Sequence, residues 1–298
     1  MLTDIFKNIF RCPDTGEMLR EEADAFVSVS GKRWPIKNNI PRFVSSDMYV
    51  GSFSFEWNLH DTTQIDSLTG ENYSEQFFRQ KTGLSPEDIQ GKLVLDAGVG
   101  AGRFSDIVIK WGANVVGIDL SYSVEAAYRN LGSRENIIIA QADIDRPPFA
   151  HETFDYIISI GVLHHTPDTR AYFQKLIPLL KKGGEICIWV YPSEGSYRRR
   201  AAWIPFTNKI PTKWFYRWCQ IFVPFATEHY RIFRFLTAFF PFSNSGIGVD
   251  NDILDTFDCY SPKYHGIHSP DEVVAWFEEC GLGNIQTFSF KTAVRGKK

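Results

Sequence analysis

Residues 95–104 read LDAGVGAGRF, and their types and spacing suit a nucleotide-sized pocket. An apolar run from Lys92 to Leu95 ends on Asp96, with Gly98, Gly100 and Gly102 close behind. A helical pattern starts next, with Phe104, Ile107, Val108 and Trp111 on one face and Gly112 as its stop. Glycines let backbone N–H groups approach a ligand, and a helix start favours a carboxylate or phosphate. Asp96, at the end of a strand, suits an amine better than a pyrophosphate. Asp119, which ends NVVGID, is placed to take both ribose hydroxyls. Asp143 is expected to accept from an adenine amino group while Ile144 packs on its ring. His164 and His165 close a further apolar run, at the strand end where the substrate sits in an open α/β sheet. An imidazole titrates at about 6.5 when unperturbed, which suits removal of a hydroxyl proton. The pair therefore reads as base or substrate contact, with His165 ahead. Its other reading is local, shaping the turn before Thr166–Asp168 and the next helix cap.

These residues need a scaffold of alternating strands and helices. Strands are expected at 114–119, 137–140, 156–160 and 185–191, with an amphipathic helix over 169–181 and a KKGG turn ending at Gly184. Such alternation predicts an α/β fold: a Rossmann-like, mostly parallel sheet with helices on both faces. A dinucleotide fingerprint would read G-x-G-x-x-G, whereas here the third glycine comes one residue early. A nicotinamide oxidoreductase therefore fits poorly.

LDAGVGAGRF, VVGIDLS, AQADIDRPPF and SIGVLHHTPD resemble, in order and spacing, the successive motifs of class I S-adenosylmethionine-dependent methyltransferases. The likeness covers residues 91–191 strongly and the last thirty more loosely. It implies S-adenosyl-L-methionine as cofactor, with Asp96, Gly98, Gly100 and Gly102 holding the methionine part and Asp119 the ribose. Asp143 and Ile144 would frame the adenine, with Ala97, Leu120 and Ile160 completing the cofactor wall. Val99 departs from the cysteine of many relatives, at a position where backbone does the binding. A methyltransferase-like scaffold without catalysis is the alternative, and the intact Asp96, Gly98, Asp119 and Asp143 argue against it.

Composition sets the remaining bounds. The chain has 298 residues, 44% of them apolar, enough for one large α/β domain and an appendage. A formal net charge of −3 offers nucleic acid no general attraction. Five scattered cysteines without a C-x-x-C suggest a reduced, cytoplasmic setting. No secretory signal or membrane-spanning run is expected.

Residues 1–45 read as a small β-rich cap. The stretch CPDTG…VSVSGKRWPIKNNIPRFV resembles a zinc-ribbon-like domain found with tRNA and protein methyltransferases. Only Cys12 remains of its ligands; Thr15, Val27 and Ser30 stand at the other positions, and one thiolate cannot hold zinc. No metal is therefore expected. Residues 46–90 read as a linker with cofactor-covering helices; Trp57, Gln64 and Tyr73 are candidates to face the ligand, and the leading alternative is that most of the segment's aromatics pack against the sheet. The methyltransferase domain then runs over 91–298, with a helical aromatic insertion at about 192–267.

Within that insertion, Tyr197–Phe242 holds 15 aromatics, eight Lys or Arg and one acid, Glu228. Three roles remain open for it: a lid over the site, a homodimer interface, or a peripheral contact with the inner face of the membrane. Pro205, Pro211 and Pro224 break it into short helices. His265, His268, Asp258, Tyr260 and Tyr264 are second candidates for the site if the insertion folds back. The ending DCYSPKYHGIHSPDEVVAWFEECGL resembles bacterial methyltransferases encoded with surface-polysaccharide enzymes. That implies a sugar or lipid-linked glycan hydroxyl as acceptor; a small aromatic or quinone-like metabolite is the alternative, and RNA comes third.

Overall fold

A computed structural model of the chain describes residues 4–6, 8–44, 50–230, 241–244, 246 and 248–298. Five parallel strands form its centre: β5 (Leu93–Ala97), β6 (Asn114–Asp119), β7 (Ile137–Gln141), β8 (Phe154–Ile160) and β9 (Leu180–Trp189). The antiparallel pair β10 (Gly283–Thr287) and β11 (Ala293–Lys297) closes one edge, giving the order β10-β11-β9-β8-β5-β6-β7. Val94, Leu95, Val115 and Val116 are all 0% exposed. Successive strand residues point to opposite faces, so both faces are covered, as apolar parallel strands require. Helices α5 (Arg103–Lys110), α6 (Val124–Leu131), α7 (Thr169–Leu176) and α11 (Pro270–Glu279) flank the sheet. The chain changes direction across the sheet between β5 and β8, which opens a crevice at their carboxyl ends.

The expected elements mostly fall where the sequence places them, with exceptions: the helix expected over 169–181 ends at Leu176, and Pro205 and Pro224, expected as breaks, lie inside the helices Ser196–Thr207 and Thr212–Glu228. The KKGG segment is not a turn before a strand; it lies inside β9, which starts at Leu180. Gly183 takes φ +77°, and a Cβ on Gly184 would stand 2.9 Å from the Asp155 carbonyl oxygen. The two glycines thus let β9 shift register against β8 while staying paired.

The N-terminal strands β1 (Leu19–Glu21), β2 (Ala25–Ser28), β3 (Arg33–Lys37) and β4 (Ile40–Pro41) make a four-stranded antiparallel sheet. Phe10 meets Phe43 and Phe149 with ring centroids 5.2 and 5.6 Å apart, joining the cap to the main core. The buried Arg42 guanidinium donates to Gln141 Oε1 at 3.2 Å and pairs with Glu125. The zinc-ribbon likeness goes no further than this small sheet. Ser30, at a position where that resemblance would place a ligand, donates through Oγ to Glu17 Oε2 at 2.6 Å, and no cluster of three metal-ligating side chains exists among the described residues. The expected boundary at 45/46 lies outside the described residues.

Between cap and sheet come α1 (Gly51–Leu59), α2 (Asp66–Thr69), α3 (Tyr73–Thr82) and α4 (Pro86–Ile89). The insertion supplies α8 (Ser196–Thr207), α9 (Thr212–Glu228) and α10 (Val249–Tyr260). These share a second core in which Phe215, Tyr216 and Phe257 pack with Phe55 of α1. One side of the insertion therefore roofs the crevice. The other leaves Trp214 and Ile221 each 70% exposed. The stretch at 231–240 lies outside the described residues.

Two outcomes are expected. Lys81 is 0% exposed, its ammonium nitrogen lies 3.2 Å from the Trp189 ring centroid, and no hydrogen-bond partner reaches it. Burial pushes its pKa down to about 5, so between that value and the ordinary 10.5 the unfolded chain binds the extra proton and stability rises with pH. Lys81→Met should flatten that rise and stabilise the fold at pH 7 by on the order of 3 kcal/mol, read from urea unfolding at several pH values. Gly98 has φ +101°, and an added Cβ would stand 2.3 Å from Val162 Cγ2. Gly98→Ala should cost about 2–4 kcal/mol, and adding Val162→Ala should recover the steric part but not the backbone part.

Candidate functional site

The turn after β5 holds its own backbone. The Gly98 and Val99 N–H groups donate to the Ile118 carbonyl at 2.8 and 2.9 Å, and Gly102 donates to Val99 at 2.8 Å. Gly100 donates to Asp119 Oδ2 at 3.1 Å. The glycines therefore serve close approach and left-handed backbone rather than a cradle of free N–H groups. That suits a ligand without phosphate.

A cavity of about 260 Å³ opens above this turn. On its sheet side stand Gly98, Gly100, Asp119, Leu120, Asp143, Ile144 and Ile160, all expected to hold cofactor. Asp119 accepts from the Ser121 N–H at 2.8 Å and hydroxyl at 2.6 Å, and burial pushes its carboxyl up. Asp143 accepts from the Asp145 N–H at 2.9 Å, and burial likewise raises it. Asp96, Ala97 and Gly102 stand behind the wall instead. Asp96 accepts from Ser105 Oγ at 2.7 Å, and burial moves its carboxyl up to about 7. Gly102 faces Leu131, whose Cδ1 would lie 2.6 Å from an added Cβ.

The two histidines separate. His165 lines the cavity and shares its Nδ1 with the Tyr264 carbonyl at 3.0 Å, while its Nε2 has no partner. Since a carbonyl only accepts, Nδ1 carries the proton and Nε2 offers a lone pair. Burial lowers its pKa to about 4, so the ring is neutral at pH 7. His164 is 0% exposed behind it, stacked on Tyr191 with ring centroids 3.7 Å apart. It is part of the core, and burial holds its pKa well below the ordinary value. His268 bonds the Glu272 and Thr169 side chains at 2.9 Å each, and the cap of α7 is Asp168. His265 packs 5.0 Å from the Tyr191 ring.

The roof brings together residues that the sequence pattern singled out, Asp258 among them, and others that it did not. Trp57, Gln64 and Tyr73 face the cavity as expected, and Phe53 and Glu56 of α1 join them. From α8 come Tyr197 and Arg200, and from α10 Leu254, Asp255 and Asp258. Arg103 opens α5, with Nε donating to Ser74 Oγ at 2.9 Å and Nη1 to Gln64 Oε1 at 2.8 Å. Its Nη2 has no partner. A signal for Asp255 did exist: D-x-x-D puts two carboxylates on one helical face. Glu56 and Arg200 carried none, because only the roof's packing turns them inward.

The methyltransferase domain family matches residues 95–188. A demethylmenaquinone methyltransferase from Thermobifida fusca (strain YX) is 33% identical over 118 residues, 38% of this chain and 50% of that protein. A ubiquinone biosynthesis O-methyltransferase from Coxiella burnetii (strain Dugway 5J108-111) is 33% identical over 100 residues, 33% of this chain and 43% of that protein. The chain spans about half, or less, of these relatives' length. A solved SAM-dependent methyltransferase from Aquifex aeolicus aligns at TM-score 0.45 and 14% identity over 82% of this chain and 96% of that one. Residues 95–188, which run from β5 to β9, are thus the part of the chain that is similar to methyltransferase domains.

Proposed function

We propose that the protein transfers the methyl group of S-adenosylmethionine to a hydroxyl of a small-molecule acceptor held under the helical roof. The observation that carries this reading is one cavity with two unlike walls: the glycine turn, Asp119 and Asp143 on the sheet, and carboxylates among aromatic rings on the roof. The residues present fit the cofactor. Asp119 would take the ribose hydroxyls, and Asp143, Ile144 and Leu120 the adenine. The unpartnered Nη2 of Arg103 would take the methionine carboxylate, a charge-assisted contact. When bound, the cofactor supplies an electrophilic methyl on a sulfonium. The chain's own task is alignment of the acceptor, a contribution of roughly 7–11 kcal/mol when geometry is good. His165, neutral and with Nε2 available, would accept a hydrogen bond from the acceptor and orient it.

A quinol-like acceptor is the second reading. The rings of Phe53, Trp57, Phe77 and Trp189 on the cavity wall favour it, and the named relatives are a demethylmenaquinone methyltransferase and a ubiquinone biosynthesis O-methyltransferase.

Where the acceptor is met is a further part of the reading. No helix among the described residues is long and apolar enough to cross a membrane. The outer face of α8 and α9 nonetheless exposes Phe206, Trp214, Ile221 and Phe225 beside Lys209, Lys213 and Arg217. Over 196–228 the one acid is Glu228. Apolar anchors interleaved with cations suit the surface of an anionic bilayer.

Calorimetric titration with S-adenosylmethionine and S-adenosylhomocysteine should give saturable one-site binding. Asp119→Ala should weaken it by about 10–100-fold, the loss expected for charge-assisted hydrogen bonds. Absence of binding to both would overturn the methyl-transfer reading. For the surface contact, the protein should float with phosphatidylglycerol vesicles and not with phosphatidylcholine vesicles, and Trp214→Ser with Ile221→Ser should abolish flotation. A concentration-dependent dimer that ignores both vesicles would instead make this face a homodimer interface.

A further inference from the structure

The roof half of the cavity holds more polar chemistry than a cofactor cover needs. Asp255 and Asp258 lie one helical turn apart on α10 and both face the cavity. Asp258 accepts from the Tyr191 hydroxyl at 3.3 Å. Arg200 donates from Nη1 to Cys259 Sγ at 3.0 Å and from Nη2 to Ser243 Oγ at 2.8 Å, leaving Nε without a partner. Glu56, on the same cavity wall, is 0% exposed, and neither of its carboxyl oxygens has a partner. Buried polar groups in folded proteins are almost always paired, so an orphaned carboxyl beside two others marks a place where a ligand completes the bonding.

Resting on the methyl-transfer reading above, we propose that this half binds a neutral polyhydroxylated ring, sugar-like in chemistry. Asp258 takes the proton of the hydroxyl that is methylated, while Asp255 and Arg200 hold the neighbouring hydroxyls. Charge selects a neutral acceptor. The Asp255 and Asp258 carboxylates face the Arg200 and Arg103 guanidiniums, so an added ammonium or phosphate would be left uncompensated in this site. A planar quinol has too few hydroxyls to satisfy Asp255, Asp258 and Glu56 together. The faces of Trp57, Tyr191 and Tyr197 offer the apolar surface against which a ring's C–H groups pack.

The step balances within the site. The hydroxyl oxygen bonds to the methyl carbon as the carbon–sulfur bond breaks, and the bonding pair stays on sulfur. The hydroxyl proton passes to the Asp258 carboxylate, leaving a methyl ether, a neutral thioether and a carboxylic acid. Asp258 faces Asp255 and Cys259 on its own helix, Tyr197 and Arg200 on α8, Tyr191 after β9, Arg103 on α5 and Glu56 on α1. Burial raises its carboxyl to about 6, against the opposing Tyr191 hydrogen bond and the two guanidiniums. Asp258 is thus ionised at pH 7 yet more basic than His165, whose pKa lies at about 4.

The test uses the full chain loaded with S-adenosylhomocysteine for binding and with S-adenosylmethionine for turnover. The probes are the methyl α-pyranosides of glucose, mannose, galactose and rhamnose, with methoxyhydroquinone as comparator. Saturation-transfer NMR should show a pyranoside binding, and mass spectrometry should show it gaining one methyl group. Asp258→Asn should lower turnover by at least about 100-fold, as expected for loss of a general base. It should also remove the fall in rate below pH 6 while leaving cofactor affinity within about two-fold by calorimetry, well inside the effect of one lost hydrogen bond. Asp255→Asn should raise KM more than it lowers kcat. Three results would each overturn the proposal: no pyranoside bound to the loaded protein, preferential methylation of methoxyhydroquinone, or an Asp258→Asn protein that keeps both its rate and its acid limb. Loss of cofactor binding in the unaltered chain would be a separate failure, that of the methyltransferase reading itself.

Discussion

The close approach of backbone to Val162 at Gly98 is the constraint on which the site depends. Where β5 ends, the chain turns through left-handed conformations with no room for a side chain at Gly98 or Gly102. That geometry lets Gly98 and Val99 donate to Ile118 at the end of β6 and lets Gly100 donate to Asp119. Two neighbouring strand ends are tied together, and an acid is held at the mouth of the crevice. Because the turn satisfies its own N–H groups, recognition of a ligand passes to side chains. This is the physical difference from a phosphate cradle, where the backbone itself binds.

The roof adds a second constraint, that of low dielectric. Helices from three distant parts of the chain cover the crevice, burying the Glu56 carboxyl on α1 and partly burying Asp255 and Asp258 on α10. Desolvation then moves acids and imidazoles in opposite senses, raising Asp255 and Asp258 to about 6 and lowering His165 to about 4. The same physics that makes histidine an attractive base in a sequence makes it a weak one here. In the proposed reaction, neutral His165 orients the acceptor and the carboxylates carry the basicity. Lys81 is the same effect without a ligand, a cation pushed toward neutrality among aromatic rings.

The cap and the insertion show how appended segments become part of one body. Phe10 and Phe43 enter the main core, and the buried Arg42 reaches Gln141 at the end of β7. The cap itself is held by aromatic packing and a serine–glutamate hydrogen bond. On the insertion, the side facing the crevice is packed and the opposite side keeps its tryptophan and isoleucine in solvent.

The sequence alone determined what local periodicity can carry. Buried strands, the glycine turn and the acids at strand ends were legible because each is encoded by residues a few positions apart. The parallel sheet followed from their alternation, and Asp119 and Asp143 stand on the cavity as expected. Tertiary structure alone decided the rest. Whether KKGG turns or bulges depends on pairing with β8, and whether His164 or His165 faces the cavity depends on how Tyr191 stacks. Asp96 looked like a ligand group, but Ser105, nine positions on, captures it first. Glu56, Arg200 and Asp255 meet only because α1, α8 and α10 share an apolar core. A sequence pattern records which face of one element is apolar, not which distant element will cover it.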